Sequence, residues 1–525
     1  AQVRLAKMEA QAEGLIAEHV QTYHGDAVSV DALPGKGRVL LAARDFEAGE
    51  RILLEFPLVA VSGDGPCTPA LKVLARLRSE GLLEYPDFFY LAALCTLTAA
   101  DASSVVGTTW PTVPPQTQAQ VCELHAPEED CSRSSSSVDA IVAAFWPEGG
   151  GPDKLLLERL LQVWVYNSFD CSAEGDTAAS GVVYLCASMM SHSCSPNAGW
   201  HLDDANSFIL RARTDIEEGE EITIPYLSPA ELCLPIADRC DLLAATKGFR
   251  CCCPRCSLAL DYSRAFDCPR CQGAGKALAA ASAPSSGSEG ALVCRSCGTL
   301  LADEAAPALA AESLVRQWAR ARLEHSSATA VAPSRAGNDC ADLDGGATAA
   351  LQRARAGGLA DGHWIVDELR AAAAEESPVF VDGERLSTEE LCRHRCALLR
   401  QRVTVHAAAG PHAATRCASL RLDLASAVRA LRDELGADSG AGDGPLMEEE
   451  VRELGAAAET FALLFGDDHP EYRQALELKL RAIRRRTVSR PVVAPTASGV
   501  VAAPGAAAGA GRRNGQGRRS GAKRR

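Results

Sequence analysis

Short bursts of apolar and β-branched residues between Val28 and Val61 are each closed by a turn signal. Leu33-Pro34-Gly35-Lys36-Gly37 and Phe46-Glu47-Ala48-Gly49-Glu50 are two of these turns, so the stretch is predicted as small strands joined tightly. Residues 68–98 and 153–166 place apolar side chains at helical spacing. Between them, residues 99–137 are rich in Ser, Thr, Pro and Gln and read as a loop or insertion rather than core. Strand character returns over 182–226. There Ile209-Leu210-Arg211-Ala212-Arg213 and Glu221-Ile222-Thr223-Ile224 flank the turn Glu217-Glu218-Gly219-Glu220. Residues 305–330, 385–436 and 446–486 read as helices, with Ala/Gly-rich linkers at 328–350 and 437–445. Helix pairs within 385–486 suit a tetratricopeptide-like arrangement. Residues 1–22 mix Arg, Lys and Glu with apolar positions and read as a helix rather than a signal peptide.

Composition adds limits to this picture. A chain of 525 residues holds roughly three to four domains. With 47% apolar residues it can bury sizeable cores, and no run of 18 apolar residues predicts a membrane span. Charge is unevenly spread. The net charge is −15, yet the segment from Lys479 to Arg525 carries 13 basic residues and no acidic one, leaving the rest at −28. An acidic body disfavours nucleic acid as a partner. The Pro/Ala/Gly-rich, then basic, tail over 487–525 reads as disordered; it could touch nucleic acid weakly, an acidic protein or an import receptor. Nuclear and cytoplasmic locations are both open, since the terminal Arg/Lys clusters read equally as an import signal or as simple terminal charge.

Cysteine changes the picture more. Of 21 cysteines, eight lie between Cys251 and Cys297 in CxC and CxxC spacings. In what reads as an intracellular chain, that is metal-ligand spacing rather than a disulfide framework. Cys251 and Cys253 can chelate one ion and Cys256 supplies a third thiolate, so a fourth ligand must come from elsewhere to close a tetrahedral zinc site. Cys268-Pro269-Arg270-Cys271 and Cys294-Arg295-Ser296-Cys297 are two knuckles around a loop, a zinc-ribbon pattern. A closed four-cysteine shell has no open position, so this second site reads as structural. Cys67, Cys95, Cys122 and Cys131 lack paired spacing and read as buried thiols.

Four segments in fixed order carry a resemblance. They are Gly35-Lys36-Gly37-Arg38, then Tyr166-Asn167-Ser168-Phe169, then Ser191-His192-Ser193-Cys194-Ser195-Pro196-Asn197 with Gly219-Glu220-Glu221-Ile222-Thr223-Ile224-Pro225-Tyr226, and finally Phe249-Arg250-Cys251-Cys252-Cys253-Pro254-Arg255-Cys256. This order resembles a SET domain followed by its post-SET zinc loop, in the style of the SET-MYND family, over about residues 25–256. Leu463 to Pro470, with Gly466, His469 and Pro470, resembles a turn of that family's helical C-terminal domain, which would wall one side of the substrate cleft.

The resemblance implies S-adenosylmethionine as cofactor and transfer of its methyl group to a protein lysine. It implies Cys194 as the fourth ligand beside Cys251, Cys253 and Cys256. It implies Tyr226 as the catalytic phenol. It also implies that Lys36, Asn167, Ser188, Met190, Ser191, His192, Tyr226 and Phe249 line the cofactor pocket, and that Asn197 braces a knot-like crossing of the chain. Glu220 and Glu221 read as turn-capping charges. Three positions depart from the family. Ser191 stands where Asn is usual, Lys247 stands where a second active-site tyrosine is common, and the MYND zinc finger expected after about Val61 is missing.

These readings combine into an α+β fold. It comprises an N-terminal helix (1–22), a SET-type β-rich core (23–229) with a helical insertion at about 68–166, and a post-SET zinc loop (230–258). A zinc-ribbon-like segment (259–300), a tetratricopeptide-like helical domain (301–486) and a disordered basic tail (487–525) follow. The function implied is protein-lysine N-methylation of a histone or non-histone substrate, with two structural zinc ions. A catalytically weak SET protein that binds peptides or partners is the alternative, kept open by Ser191 and Lys247. A zinc-ribbon nucleic-acid adaptor is the third reading, disfavoured by the acidic body.

Overall fold

The first hairpin depends on its glycines. Strands β1 (Val28–Leu33) and β2 (Gly37–Ala42) pair antiparallel, Leu33 opposite Gly37 and Val28 opposite Ala42. The turn between them needs φ of +76° at both Gly35 and Gly37, a region that side chains disfavour. Leu40 and Ala42 then point into the core while the hairpin tip stays exposed. The computed structural model describes residues 15–103, 110–171, 179–275, 277–280, 291–301, 303–327, 346–377, 379–381, 384–436 and 443–488. The first 14 residues of the expected N-terminal helix and the tail beyond Val488 lie outside these; the helix itself is seen over Leu15–His24.

Three further small sheets build the β core. β3 (Arg51–Glu55) pairs with β9 (Phe208–Ala212), which pairs in turn with β8 (Ala198–Leu202). β4 (Val59–Ser62) pairs with β6 (Ser180–Val183), flanked by β5 (Phe169–Asp170). β7 (Ser191–His192) and β10 (Thr223–Ile224) run parallel, Ser191 opposite Thr223 and His192 opposite Ile224. Parallel partners require a crossover, and here the β8–β9 hairpin supplies it. Asn197 braces this crossing: its Oδ1 accepts from the Thr223 amide at 2.8 Å, and its Nδ2 donates to the Glu221 carbonyl at 2.9 Å.

The insertion is helical throughout much of its length. Its centre is Lys154–Asn167, started by Asp153, whose side chain accepts from the Leu155 amide, and buried along Leu156, Leu160, Leu161 and Trp164. Trp164 Nε1 donates to Thr96 Oγ1 at 2.8 Å, tying it to the helix Asp87–Cys95. The polar composition of 99–137 misleads. Pro115 opens the helix Pro115–Glu123, Val121 and Leu124 are fully buried, and Gln118 donates to the Thr96 carbonyl at 3.1 Å. Proline at a first helical turn promotes a helix rather than a loop, and a few well-spaced apolar side chains suffice to make that segment core.

After the β core the helix Ile236–Lys247 ends on Gly248 at φ +73°. An antiparallel sheet of β11 (Leu260–Phe266), β12 (Ala277–Ala280), β13 (Leu292–Cys294) and β14 (Leu300–Leu301) carries the second cysteine group. The C-terminal region is helical: Ala306–Ser327, Gly346–Ala356, Trp364–Glu375, Thr388–Ala409, Ala414–Leu435, Asp443–Phe465 and Pro470–Val488. Residues 385–436 form two helices divided at Gly410-Pro411. The last four pack successively, and Asp443–Phe465 lies on β8 and β9. No helix among the described residues is long and apolar enough to cross a membrane.

One buried carboxylate ties β3 to the site. Glu55 Oε1 accepts from the Leu185 and Cys186 amides at 2.9 and 2.8 Å, and Oε2 from the Ala187 amide at 2.8 Å. Burial pushes its pKa up to about 7, against the pull of the three amides. This anchor holds the turn that leads into Met190, Ser191 and His192. Glu55→Gln replaces one acceptor by a donor facing an amide, and an unsatisfied buried donor costs about 1–3 kcal/mol. The variant is expected to unfold at lower temperature or denaturant than the parent chain, measured by circular dichroism.

Candidate active site and metal centres

His192 joins two halves of the site. Its Nδ1 accepts from the Tyr226 backbone amide at 2.9 Å, and its Nε2 lies 3.2 Å from Cys194 Sγ. Burial lowers its pKa to about 4, so the ring is neutral. Acceptance at Nδ1 leaves the proton on Nε2, aimed at the sulfur. Metal-bound thiolates are commonly oriented by such outer-shell donors.

The sulfur atoms of Cys194, Cys251, Cys253 and Cys256 lie within 4.8 Å of one another, with Cys194 buried and the other three partly so. Cys194 and Cys256 are 3.5 Å apart. A tetrahedral zinc with Zn–S bonds of about 2.3 Å spaces its sulfurs by about 3.8 Å, so four thiols at this range suit the ion. Cys252 is exposed and faces away. Arg239, 1% exposed, donates from Nη2 to Cys256 Sγ at 3.4 Å. Burial opposes its charge, but the sulfurs of Cys194 and Cys256 hold its pKa above the ordinary guanidinium value. Arg255 Nη1 donates to the carbonyls of Cys194, at 3.2 Å, and Leu232, at 2.5 Å.

Cys268, Cys271, Cys294 and Cys297 form the second group, again within 4.8 Å. Cys268 to Cys297 is 3.9 Å and Cys271 to Cys294 is 3.7 Å. The knuckle amides of Cys268 and Cys294 bond the carbonyls of Gly273 and Thr299, closing each turn about its thiols. Both groups can therefore hold zinc, and neither leaves a position open for chemistry.

Tyr226, His192 and Phe249 form an aromatic corner. Tyr226 and Phe249 meet edge to face at 6.3 Å, and each lies 5.3–6.2 Å from the His192 ring. Both rings keep an open side, 39% and 36% exposed. The Tyr226 hydroxyl end is nevertheless enclosed: it donates to the Met190 carbonyl at 2.5 Å. Burial, with Glu221 nearby, pushes the phenol up to about 12.

Lys36 pairs with Glu221 at the tip of the first hairpin. The same hairpin reaches the crossing, since the Ile222 amide bonds the Leu40 carbonyl at 2.8 Å. A side chain added at Gly35 or Gly37 would meet open space. The other Glu221 oxygen, Oε1, is buried and has no hydrogen-bond partner among the described residues. Ser188 Oγ donates to the Tyr184 carbonyl at 2.7 Å, in the turn anchored by Glu55. Met190 is buried, Ser191 partly so. Asn167, at the end of the insertion's central helix, gives its amide hydrogens to the His125 and Val163 carbonyls, both at 2.7 Å.

Lys247 is turned to a different task from the phenol usual at its position. Its ammonium donates to the Tyr166 and Val165 carbonyls at 3.3 and 3.5 Å, and burial lowers its pKa. It thus neutralises the negative end of helix Lys154–Asn167 and ties the post-SET helix to the insertion. Glu55, Arg239 and Arg255 are the contributors that sequence reasoning missed. A charged residue inside the apolar run Ile52-Leu53-Leu54-Glu55-Phe56 is the available signal for the first. For the two arginines there is none beyond their nearness to the cysteines.

Residues 37–227 match the SET domain family. Over that segment the chain carries a SET domain, within an α+β fold that also holds two cysteine clusters suited to zinc and a helical C-terminal region. Its curated relatives include histone-lysine N-methyltransferase ATXR4 of Arabidopsis thaliana, 39% identical over 88 residues that make up 16% of this chain and 25% of the relative. A SET and MYND domain-containing protein of Dictyostelium discoideum is 34% identical over 86 residues, 16% of this chain and 24% of that one. Protein-lysine N-trimethyltransferase SMYD5 of Gallus gallus is 38% identical over 80 residues, 15% and 19% of the two chains. The SET-MYND-like assignment fits these relatives, of whose lengths the chain spans a quarter or less. Among solved structures, the SET domain of LSMT bound to lysine and AdoHcy shares 13% identity over 91% of this chain and 92% of that one, with a TM-score of 0.28.

Metal analysis of the purified chain should find two zinc ions. Cys194→Ser and Cys268→Ser are each expected to lose one, the first also loosening Phe249. Plasma emission spectrometry and the intrinsic fluorescence of Tyr226 and Trp variants read both effects. A metal content that stays at two in either serine variant contradicts this ligand assignment.

Proposed function

We propose that the protein is an S-adenosylmethionine-dependent protein-lysine N-methyltransferase, acting on a lysine of a histone or non-histone protein. The observation that carries this reading is the Tyr226 hydroxyl, committed to the Met190 carbonyl inside an aromatic corner beside the chain crossing. Relatives named for lysine methylation support the same reading.

When bound, S-adenosylmethionine supplies an electrophilic methyl on a positively charged sulfur. The chain must then present a neutral amine, although free lysine has a pKa near 10.4. The apolar and aromatic faces of Tyr226 and Phe249 disfavour the charged ammonium by desolvation. With its hydrogen engaged by the Met190 carbonyl, the Tyr226 oxygen has lone pairs left to accept from an amine N–H. The phenol keeps its own proton at neutral pH because its pKa is raised to about 12. Such orientation can supply a large share of the barrier reduction. Lys36, Asn167, Ser188, Met190, Ser191, His192, Tyr226 and Phe249 are the proposed cofactor-lining set. Ser191 is shorter than the Asn it replaces, so a water would span the gap to an amino group. Action in the nucleus, the cytoplasm or both is part of the proposal.

Calorimetric titration with S-adenosylmethionine and methyl transfer onto a protein array test it together. The parent chain is expected to bind the cofactor and to methylate a lysine. Tyr226→Phe should bind equally well and lose roughly 10²-fold or more in turnover, the scale of losing one preorganised polar group. Absence of cofactor binding overturns the enzyme. Binding without transfer to any protein points instead to a partner-binding module.

A further inference from the structure

A second constellation lies where the β core meets the C-terminal helices. The short helical turn Glu231–Cys233, which follows the SET core, packs on the turn Pro411–Ala413. There Cys233 Sγ lies 3.8 Å from His406 Nδ1, and the other ring nitrogen, Nε2, lies 3.1 Å from Asp367 Oδ2. The three residues come from three separate elements, so the alignment is tertiary and not a by-product of helical spacing. Asp367 is fixed in turn by a two-pronged contact from Arg402, at 2.9 and 3.1 Å, and by Arg416 at 3.1 Å. His406 is buried, whereas Cys233 keeps partial access to solvent.

We propose that Cys233 is a reactive, oxidisable thiol, activated by His406 and Asp367 and open to hydroperoxides and soft electrophiles. A sulfur becomes nucleophilic where cations favour its thiolate and solvent reaches it. His406, Arg416 and Arg255 supply the cations, and the half-buried sulfur, which donates to the Pro229 carbonyl at 3.4 Å, keeps access to solvent. Although burial alone lowers its pKa, contact with Asp367 and with Cys233 raises His406 to about 9, so the imidazole is a cation at neutral pH. Arg416 and Arg255 add positive charge around the sulfur. The anion that balances the ring, Asp367, is itself held by two guanidinium groups and so leaves the imidazolium free to pair with sulfur. The groups facing the ring are Cys233 on one side, and Asp367 with its arginines on the other; His412, its pKa lowered to about 3 by burial, stays neutral.

With a hydroperoxide the step balances within the site. The thiolate of Cys233 attacks one peroxide oxygen and an S–O bond forms as the O–O bond breaks. The departing hydroxide or alkoxide takes the His406 proton and leaves as water or alcohol. Sulfur is oxidised by two electrons to a sulfenic acid and the peroxide is reduced. Because Cys233 packs at the junction of the SET core with the C-terminal helices, the added oxygen also bears on that junction.

The full-length zinc-loaded chain allows a direct test. A brief pulse of iodoacetamide, followed by tryptic digestion, reads alkylation on two single-cysteine peptides, 214–239 with Cys233 and 386–393 with Cys392. Both thiols are half-buried, so exposure alone predicts equal rates. Cys233 is expected to react at least about 10-fold faster, and hydrogen peroxide with dimedone should tag Cys233 ahead of Cys392. His406→Gln should erase that excess while the circular dichroism spectrum is retained. Equal rates at the two thiols in the parent chain overturn the proposal without any variant. An undiminished rate in a folded His406→Gln chain overturns the role of the imidazole.

Discussion

Two ring nitrogens of one histidine hold this site together. His192 takes the backbone of Tyr226 at one nitrogen and faces the sulfur of Cys194 at the other. Neither contact is strong alone. Together they make the position of the candidate catalytic phenol depend on the thiol cluster, and the cluster depend on the crossing of β7 and β10. The crossing has its own brace in Asn197, and the turn feeding it has an anchor in Glu55. Glu55 and His192 are polar and buried and Asn197 is partly so, so each unmade bond carries a desolvation cost. That cost forces several separate segments into one geometry.

The metal clusters and the order of the β core were legible in the chain because both rest on local chemistry. Cys251, Cys253 and Cys256 announce a shared ion by spacing, and Gly35, Gly37, Gly49 and Gly219 mark turns that need positive φ. Helices with clear apolar periodicity, such as Lys154–Asn167, were legible for the same reason. Residues 99–137 were not. Their polar composition conceals Val121 and Leu124, whose burial depends on helices far away in sequence. Helix Trp364–Glu375 escaped for a similar reason: it is buried on nearly every face and shows no polar stripe to set a period.

The site itself was only partly legible. Motif order brought Tyr226, His192, Phe249 and Cys194 to notice, and the fold brings these four together. What the motifs could not convey is how the departures are used. Lys247 turns from the aromatic corner to the carbonyls of Val165 and Tyr166, becoming a tie between elements. Asn167 commits its amide hydrogens to Val163 in its own helix end and to His125 beyond the helix Pro115–Glu123. Side-chain direction depends on neighbours supplied by the whole fold, and a linear motif carries no record of them.

Arg239 has a consequence for how the chain assembles. Four thiolates around one zinc carry two net negative charges, and the guanidinium beneath them is almost wholly enclosed. With protonated thiols in place of the ion, the same guanidinium would be a buried cation without a counter-charge, which is strongly disfavoured. The helix Ile236–Lys247 and the loop after it would therefore pack more favourably around a loaded centre than around an empty one. Zinc loading and the docking of this helix would then be coupled, so that removing the metal would loosen the helix as well as empty the site.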